Sequence, residues 1–218
     1  MSKNKKIICP HLILCEGADA TYFLIGFLDY LISNGEDEFN KFQVMDFGGN
    51  EELPKYLHLL PYLPNYKNVK SITIIRDAEK NHCSAVQSIQ TALENSGFPV
   101  PICTNKALQD DKRKTAFTLF PSLSINAENG TLEDLFINNL VESSDELLKD
   151  IDNFINSLQL KKRNIPRKHK SRLYIYFAVT DRYITLKLAE AAKSGAFRFD
   201  CSEMNSLKEL LREMCSQY

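Results

Sequence analysis

The stretch Leu12-Ile13-Leu14-Cys15-Glu16-Gly17-Ala18-Asp19 decides how the rest of the chain is read. Four apolar residues run into an acid, a glycine and a second acid. Tyr22 to Leu28 then carries the apolar spacing of a helix packed on a sheet. That is a strand, a tight turn and a helix. A second strand with the same ending follows at Ile72-Thr73-Ile74-Ile75-Arg76-Asp77-Ala78-Glu79. In open α/β sheets ligands collect beyond the carboxyl ends of the strands, so two strands that each deliver carboxylates there predict one acidic pocket.

Working outward, strand and helix alternate through the first half. A helix is expected over Ala18–Ser33, with Asp19 as cap and Asn34-Gly35 as stop. A strand over Phe42–Phe47 ends in Gly48-Gly49, which serves either a close backbone approach to a ligand or a plain strand-to-helix turn. A helix from Glu51 to Leu60 halts near Pro61, a strand covers Val69–Ile75, and a helix covers His82–Ser96. Asn105–Lys114 reads as a polar loop and Ala116–Pro121 as a further strand. This alternation predicts a parallel sheet with helices on its faces. Thr131 is placed to cap another helix whose first turn holds Glu133 and Asp134. From Ser143 the chain is read as helical, over Asp145–Leu158, Leu173–Ser194 with a break near Asp181, and Ser206–Met214. The organisation expected is an α/β core over 1–140 and a mainly helical extension over 141–218 packed on it.

The bulk properties fit a folded protein. Of 218 residues, 44% are hydrophobic and 25% charged, and no apolar run approaches the roughly 18 residues that span a bilayer. The basic start Met1–Lys6 leads quickly into Glu16 and does not read as a signal peptide, so the cytoplasm is the expected location and no membrane role is expected. Six cysteines without a CxxC pair read as core or incidental thiols rather than zinc ligands or disulfides. The net charge of -1 hides an asymmetry. Lys161, Lys162, Arg163, Arg167, Lys168, Lys170 and Arg172 crowd one segment without an acid, leaving 20 of the 27 cations against all 28 acids elsewhere. Such a segment is either a solvated linker or a contact for a polyanion.

Carboxylates gathered without opposing cations raise one another's pKa, so Glu16, Asp19, Asp77 and Glu79 are costly together unless a divalent cation neutralises them. Magnesium suits them, since it takes oxygen ligands from one or two carboxylates together with water and phosphate oxygens. If the strand stays extended past Asp77, then Asp77 and Glu79 point to the same side and Glu16 faces them from the next strand.

These residues resemble a known family. Glu16-Gly17-Ala18-Asp19 after an apolar strand, followed by a strand ending Asp77-Ala78-Glu79, is similar to the Toprim domain of topoisomerases, bacterial primases, recombination proteins and the overcoming-lysogenization-defect nucleases. Gly48-Gly49, Gly130-Thr131-Leu132-Glu133-Asp134 and the tail from Phe199-Asp200 to Leu211 further resemble small stand-alone Toprim-like proteins of a family of unknown function. The resemblance implies a Rossmannoid parallel sheet flanked by helices. It implies that Glu16 acts as acid/base or metal ligand, that Asp77 and Glu79 stand for an Asp-x-Asp pair with the second acid lengthened, and that Glu133 contributes to a second metal. Either Lys168 or Lys170 corresponds to a lysine that stabilises the transition state. The implied activity is Mg2+-dependent phosphodiester hydrolysis, with Mn2+ as substitute, on DNA or RNA whose backbone the 161–172 segment contacts. No Walker loop is visible, so an ATPase would be a separate partner. Two further functions remain open. One is a non-catalytic binding or regulatory subunit of a defence or repair complex; the other is an enzyme of nucleotides or phosphate metabolites.

Overall fold

The computed structural model of the chain describes residues 6–140, 145–165 and 167–216. The basic start at residues 1–5, the expected onset of helix at Ser143, and Pro166 within the basic segment lie outside the described residues. Five strands, β1 His11–Glu16, β2 Phe42–Gly48, β3 Ser71–Asp77, β4 Leu108–Gln109 and β5 Lys114–Phe120, form one sheet in the order β2-β1-β3-β5-β4. β1 lies parallel between β2 and β3, and β3 runs parallel to β5. Only the two-residue β4 is antiparallel, at the edge.

A parallel sheet covered on both faces needs apolar residues pointing both ways, which is why Leu12 to Cys15 and Ile72 to Ile75 are buried without alternation. Leu12, Leu14, Ile72 and Ile74 pack against Leu57 of α2 (Leu53–Leu59) and Ile89 of α3 (His82–Asn95). On the other face Ile13, Cys15 and Ile75 meet Phe23 and Phe27 of α1 (Gly17–Ser33) and Leu207 and Leu211 of α8 (Ser202–Cys215). The same cluster takes in α4 (Leu132–Asn138), α5 (Asp145–Leu160), α6 (Lys168–Ala178) and α7 (Leu188–Ala191), through Phe136, Ile155, Phe177 and Leu188. Phe23 shows how tightly α1 is held between the sheet and the later chain. Fully buried, it meets Phe120 of β5 edge-on at 6.4 Å and Phe197 at 5.0 Å. Truncating such a ring costs about 3–5 kcal/mol, because the cavity left behind collapses only in part.

The expected α/β class holds, and the differences are local. Helix α1 begins at Gly17 with Glu16 at its N-cap position and no side-chain cap, so Asp19 sits in the first turn and does not cap. The segment expected as a loop at 105–114 contains β4, too short to leave a periodic signal. The helix expected over 51–60 opens with a 3-10 turn at Asn50–Glu52. The helix expected from Leu173 starts earlier, at Lys168, and the break expected near Asp181 is a run of turns from residue 179 that separates α6 from α7, after which a wide final turn carries Gly195 at φ +88. No helix among the described residues is long and apolar enough to cross a membrane.

Candidate acidic site at the strand ends

The site is assembled at the carboxyl ends of β1 and β3. Glu16 is the last residue of β1, and the chain must turn at once into α1. Gly17 makes that turn at φ +82, a region that side chains disfavour, and its N–H donates to Asp46 Oδ1 at 3.0 Å. The same oxygen accepts the Gly48 N–H at 2.7 Å. Asp46 therefore ties the β1–α1 turn to the end of β2, a role that the sequence reading missed although Asp46 is itself an acid near a strand end.

Asp77 ends β3, and its Oδ1 accepts the Leu132 N–H at 2.9 Å, capping α4 from a distance. What brings α4 there is a short antiparallel bridge: Glu79 and Gly130 exchange backbone hydrogen bonds of 2.8 Å in both directions. Gly130 is at φ +141, and a Cβ on it would lie 2.9 Å from Asp134 Oδ2, so glycine is required. The first turn of α4 then places Glu133, only 3% exposed, beside Asp77. Asp134 folds back to accept the Thr131 N–H at 2.8 Å, and its other oxygen meets His169 Nδ1 at 2.8 Å. That contact docks the start of α6. One residue on, Lys170 Nζ reaches Asp19 Oδ2 at 3.0 Å and Glu133 Oε1 at 3.2 Å.

Glu16, Asp19, Asp77, Glu133 and Lys170 thus line one cavity of about 160 Å³. The acids from β1, β3, α1 and α4 expected to converge do so. Glu79 does not join them. The chain leaves the extended conformation at Glu79, with φ +56, and its exposed side chain lines a neighbouring cavity with Arg76, Lys80 and Asn81. The condition for Asp77 and Glu79 sharing one side is therefore not met. Of the two candidate lysines, Lys170 lines the cavity while Lys168 is exposed and makes no ion pair among the described residues. In the basic segment Arg172 pairs with Asp152 at 2.8 Å, whereas Lys161, Lys162, Arg163 and Arg167 are exposed.

Burial dominates the electrostatics. It raises the pKa of Asp77 to about 8, helped by the neighbouring Glu133 charge, so Asp77 is protonated at neutral pH. Burial also raises Glu16; Arg76 opposes the shift, and the Glu79 and Asp46 charges add to it. Arg76, missed by the sequence reading, is 2% exposed and its Nε lies 3.6 Å from Glu16 Oε2. Glu16 Oε2 and Arg76 Nη1 are both buried without a hydrogen-bond partner. Burial pulls Lys170 down, but its bonds to Asp19 and Glu133 outweigh this and hold its pKa above the ordinary value.

Among the described residues no three His, Cys, Asp or Glu side chains stand ready-made as a metal site. Lys170 bridges two of the acids and Arg76 faces a third. The donor chemistry nevertheless fits a hard divalent cation: every candidate donor is a carboxylate, and one buried Glu16 oxygen lacks a partner.

Comparison with known proteins gives a family. No curated protein matches the chain. Two solved structures of the C-terminal region of the Xanthomonas campestris pv. campestris OLD protein, phased with mercury and with iodine, each align over 95% of this chain. They do so over 97% and 96% of their own length, at 16% and 17% identity, each with a TM-score of 0.45. The family model described as "Protein of unknown function (DUF3226)" matches residues 10–216. With nearly the whole length matched, the chain belongs to the DUF3226 family.

Proposed function

We propose that the chain is a Toprim-type phosphodiester hydrolase acting on DNA or RNA with Mg2+, or Mn2+ in its place. The observation that carries this reading is the convergence of Glu16, Asp19, Asp77 and Glu133 with Lys170 on one cavity at the carboxyl edge of a parallel sheet. Glu16, Asp77 and Glu133 would hold the metal, which supplies an activated water and neutralises the leaving alkoxide. Asp77 enters this role by losing its proton, and the Leu132 N–H then stabilises the carboxylate it leaves. Lys170 swings from the acids toward a non-bridging phosphate oxygen. The exposed cations Lys161, Lys162, Arg163, Arg167 and Lys168 contact neighbouring phosphates, which gives affinity that falls steeply with salt.

The test is cleavage of labelled single- and double-stranded DNA and RNA with and without Mg2+ or Mn2+. Glu16→Gln and Asp77→Asn are expected to lower a metal-dependent rate by about 100-fold or more while the protein stays folded. Equal cleavage in both variants would refute the reading. A second reading, a non-catalytic binding or regulatory subunit that works beside a separate ATPase, is favoured by the internal pairing of the acids with Lys170 and Arg76. Calorimetry separates the two. The hydrolase should bind Mg2+ or Mn2+ with release of a proton, whereas the subunit should give no heat.

A further inference from the structure

At the opposite edge of the sheet the strands begin in cations. Lys41 precedes β2, Lys70 precedes β3, and Lys112 and Arg113 lead into β5, whose first residue is Lys114. Parallel register, with His11 beside both Phe42 and Ser71 and Ser71 beside Lys114, gathers these separate stretches around one cavity of about 830 Å³. The sequence gives no sign of this patch, because no two of its three segments are close in the chain.

The cations are not equivalent. Lys114 is 5% exposed and its ammonium donates to the Glu213 carbonyl at 2.8 Å, so it closes the end of α8. Lys41, Lys70, Lys112 and Arg113 form no ion pair with any described carboxylate. Asp110, whose Oδ1 accepts the Lys112 and Arg113 backbone N–H groups at 2.7 Å each, offsets the charge of both side chains in part, as Glu38 does for Lys41. Asp111 is the one acid on the wall. The Arg113 guanidinium carbon lies over the Tyr66 ring, 4.0 Å from its centroid, and its buried Nε has no hydrogen-bond partner. His11 is 5% exposed and bonded to Ser71, and burial together with Lys70, Lys41 and Lys114 keeps it neutral.

The bland alternative is a solvated rim. Four cations without an ion-pair partner converge on one concavity whose wall carries a single acid, and Asp110 and Glu38 offset only part of their repulsion, so an anion that joins them is favoured. We propose that this cavity is a second site, distinct from the acidic one, that takes a chain of phosphates through Lys41, Lys70, Lys112 and Arg113. A phosphate chain fits better than a lone carboxylate because the charge is spread across several strand starts and the guanidinium fork matches phosphate oxygens. The length of β3 separates this site from the acidic one by about 20 Å, so the inference stands whether or not the chain hydrolyses phosphodiesters.

Binding of inorganic tripolyphosphate to the full chain at low salt, measured by calorimetry, tests the proposal. Lys70→Glu combined with Lys112→Glu should weaken it by about tenfold or more, as expected for lost charge-assisted bonds, with unchanged melting. Arg113→Gln should weaken it by itself, and Lys170→Ala, in the acidic site, should leave it unchanged. Competition identifies the carrier: displacement by ATP alone indicates a nucleotide, and displacement by a short single-stranded oligonucleotide indicates a strand. Absence of tripolyphosphate binding, equal affinity in the charge-reversed protein, or failure of both competitors overturns the proposal.

Discussion

The two edges of one sheet carry opposite charge by opposite means. At the carboxyl edge Glu16, Asp77 and Glu133 are drawn inside, and each needs an internal answer: Arg76, a proton, or Lys170. At the amino edge the cations remain exposed, except for the half-buried Arg113 and the buried Lys114, and solvent bears most of their repulsion. Burial is what makes a charged group expensive, and therefore sensitive to mutation and pH. The acidic edge should accordingly respond strongly when one member is changed, and the basic edge weakly. That contrast can be broken or sharpened by experiment.

The largest response is expected from Arg76. Arg76→Met leaves a mostly buried Glu16 carboxylate without its countercharge, and breaking such a pair on one side costs about 3–5 kcal/mol. Denaturant unfolding should show this loss, and adding Glu16→Gln should restore a large part of it. If Arg76→Met unfolds like the parent chain, Glu16 is not held by Arg76 and the contrast between the two edges fails. Lys70→Glu, at the amino edge, should change stability by less than about 1 kcal/mol.

Next comes pH. In the unfolded chain Asp77 titrates near its ordinary 3.8, and in the folded chain near 8. Below about pH 4 it is protonated in both states and leaves the folding equilibrium alone. Between 4 and 8 the unfolded chain gives up a proton that the folded chain keeps, so stability falls with rising pH by up to about 1.4 kcal/mol per pH unit. Asp77→Asn keeps an acceptor for the Leu132 N–H and removes the titration. The difference between the two proteins' unfolding free energies should therefore grow from pH 5 to pH 8 in favour of the variant. A constant difference over that range would mean that Asp77 is ionised in the folded chain.

A third response concerns α4. Asp134→Ala removes the acceptor for the Thr131 N–H and should cost about 1 kcal/mol, the usual worth of a helix N-terminal cap. Loss of more than about 3 kcal/mol would show that Asp134 supports the core as well as the helix end.

How much of this could be read beforehand depended on whether a residue's neighbours were close in the chain. The strand-turn-helix at Leu12–Asp19 and the strand ending at Asp77 are local patterns, and both appear where the spacing put them. Glu133 and Asp134 were visible as first-turn acids for the same reason. Glu79 was misplaced because its backbone follows a bridge to Gly130, a partner far along the chain. The choice between Lys168 and Lys170 was equally beyond local spacing, since α6 is docked by Asp134 through His169. Arg76 did leave a signal. An arginine within an otherwise apolar strand must be buried, and a buried guanidinium needs a nearby acid, which pointed to the end of β1. The basic cavity left none, because Lys41, Lys70 and Lys112 meet only through strand register.

The smallest effect on stability should come from His169, and it bears most directly on how the acidic site is held. Its ring is about half exposed, so its contact with Asp134 is worth less than about 1 kcal/mol, and His169→Ala should melt nearly as the parent does. Yet this contact positions the first turn of α6, from which Lys170 spans Asp19 and Glu133. If His169 is a positioning residue, its loss frees Lys170. The Lys170 ammonium, followed by NMR, should then titrate at lower pH than in the parent, because the two bonds that hold its pKa up are weakened while its burial remains. Asn at this position, able to meet Asp134 but without a ring, should restore part of the difference. An unchanged Lys170 titration in His169→Ala would mean that α6 is seated by its apolar face alone, through Leu173, Tyr176 and Phe177, and that the lysine reaches the acids without help.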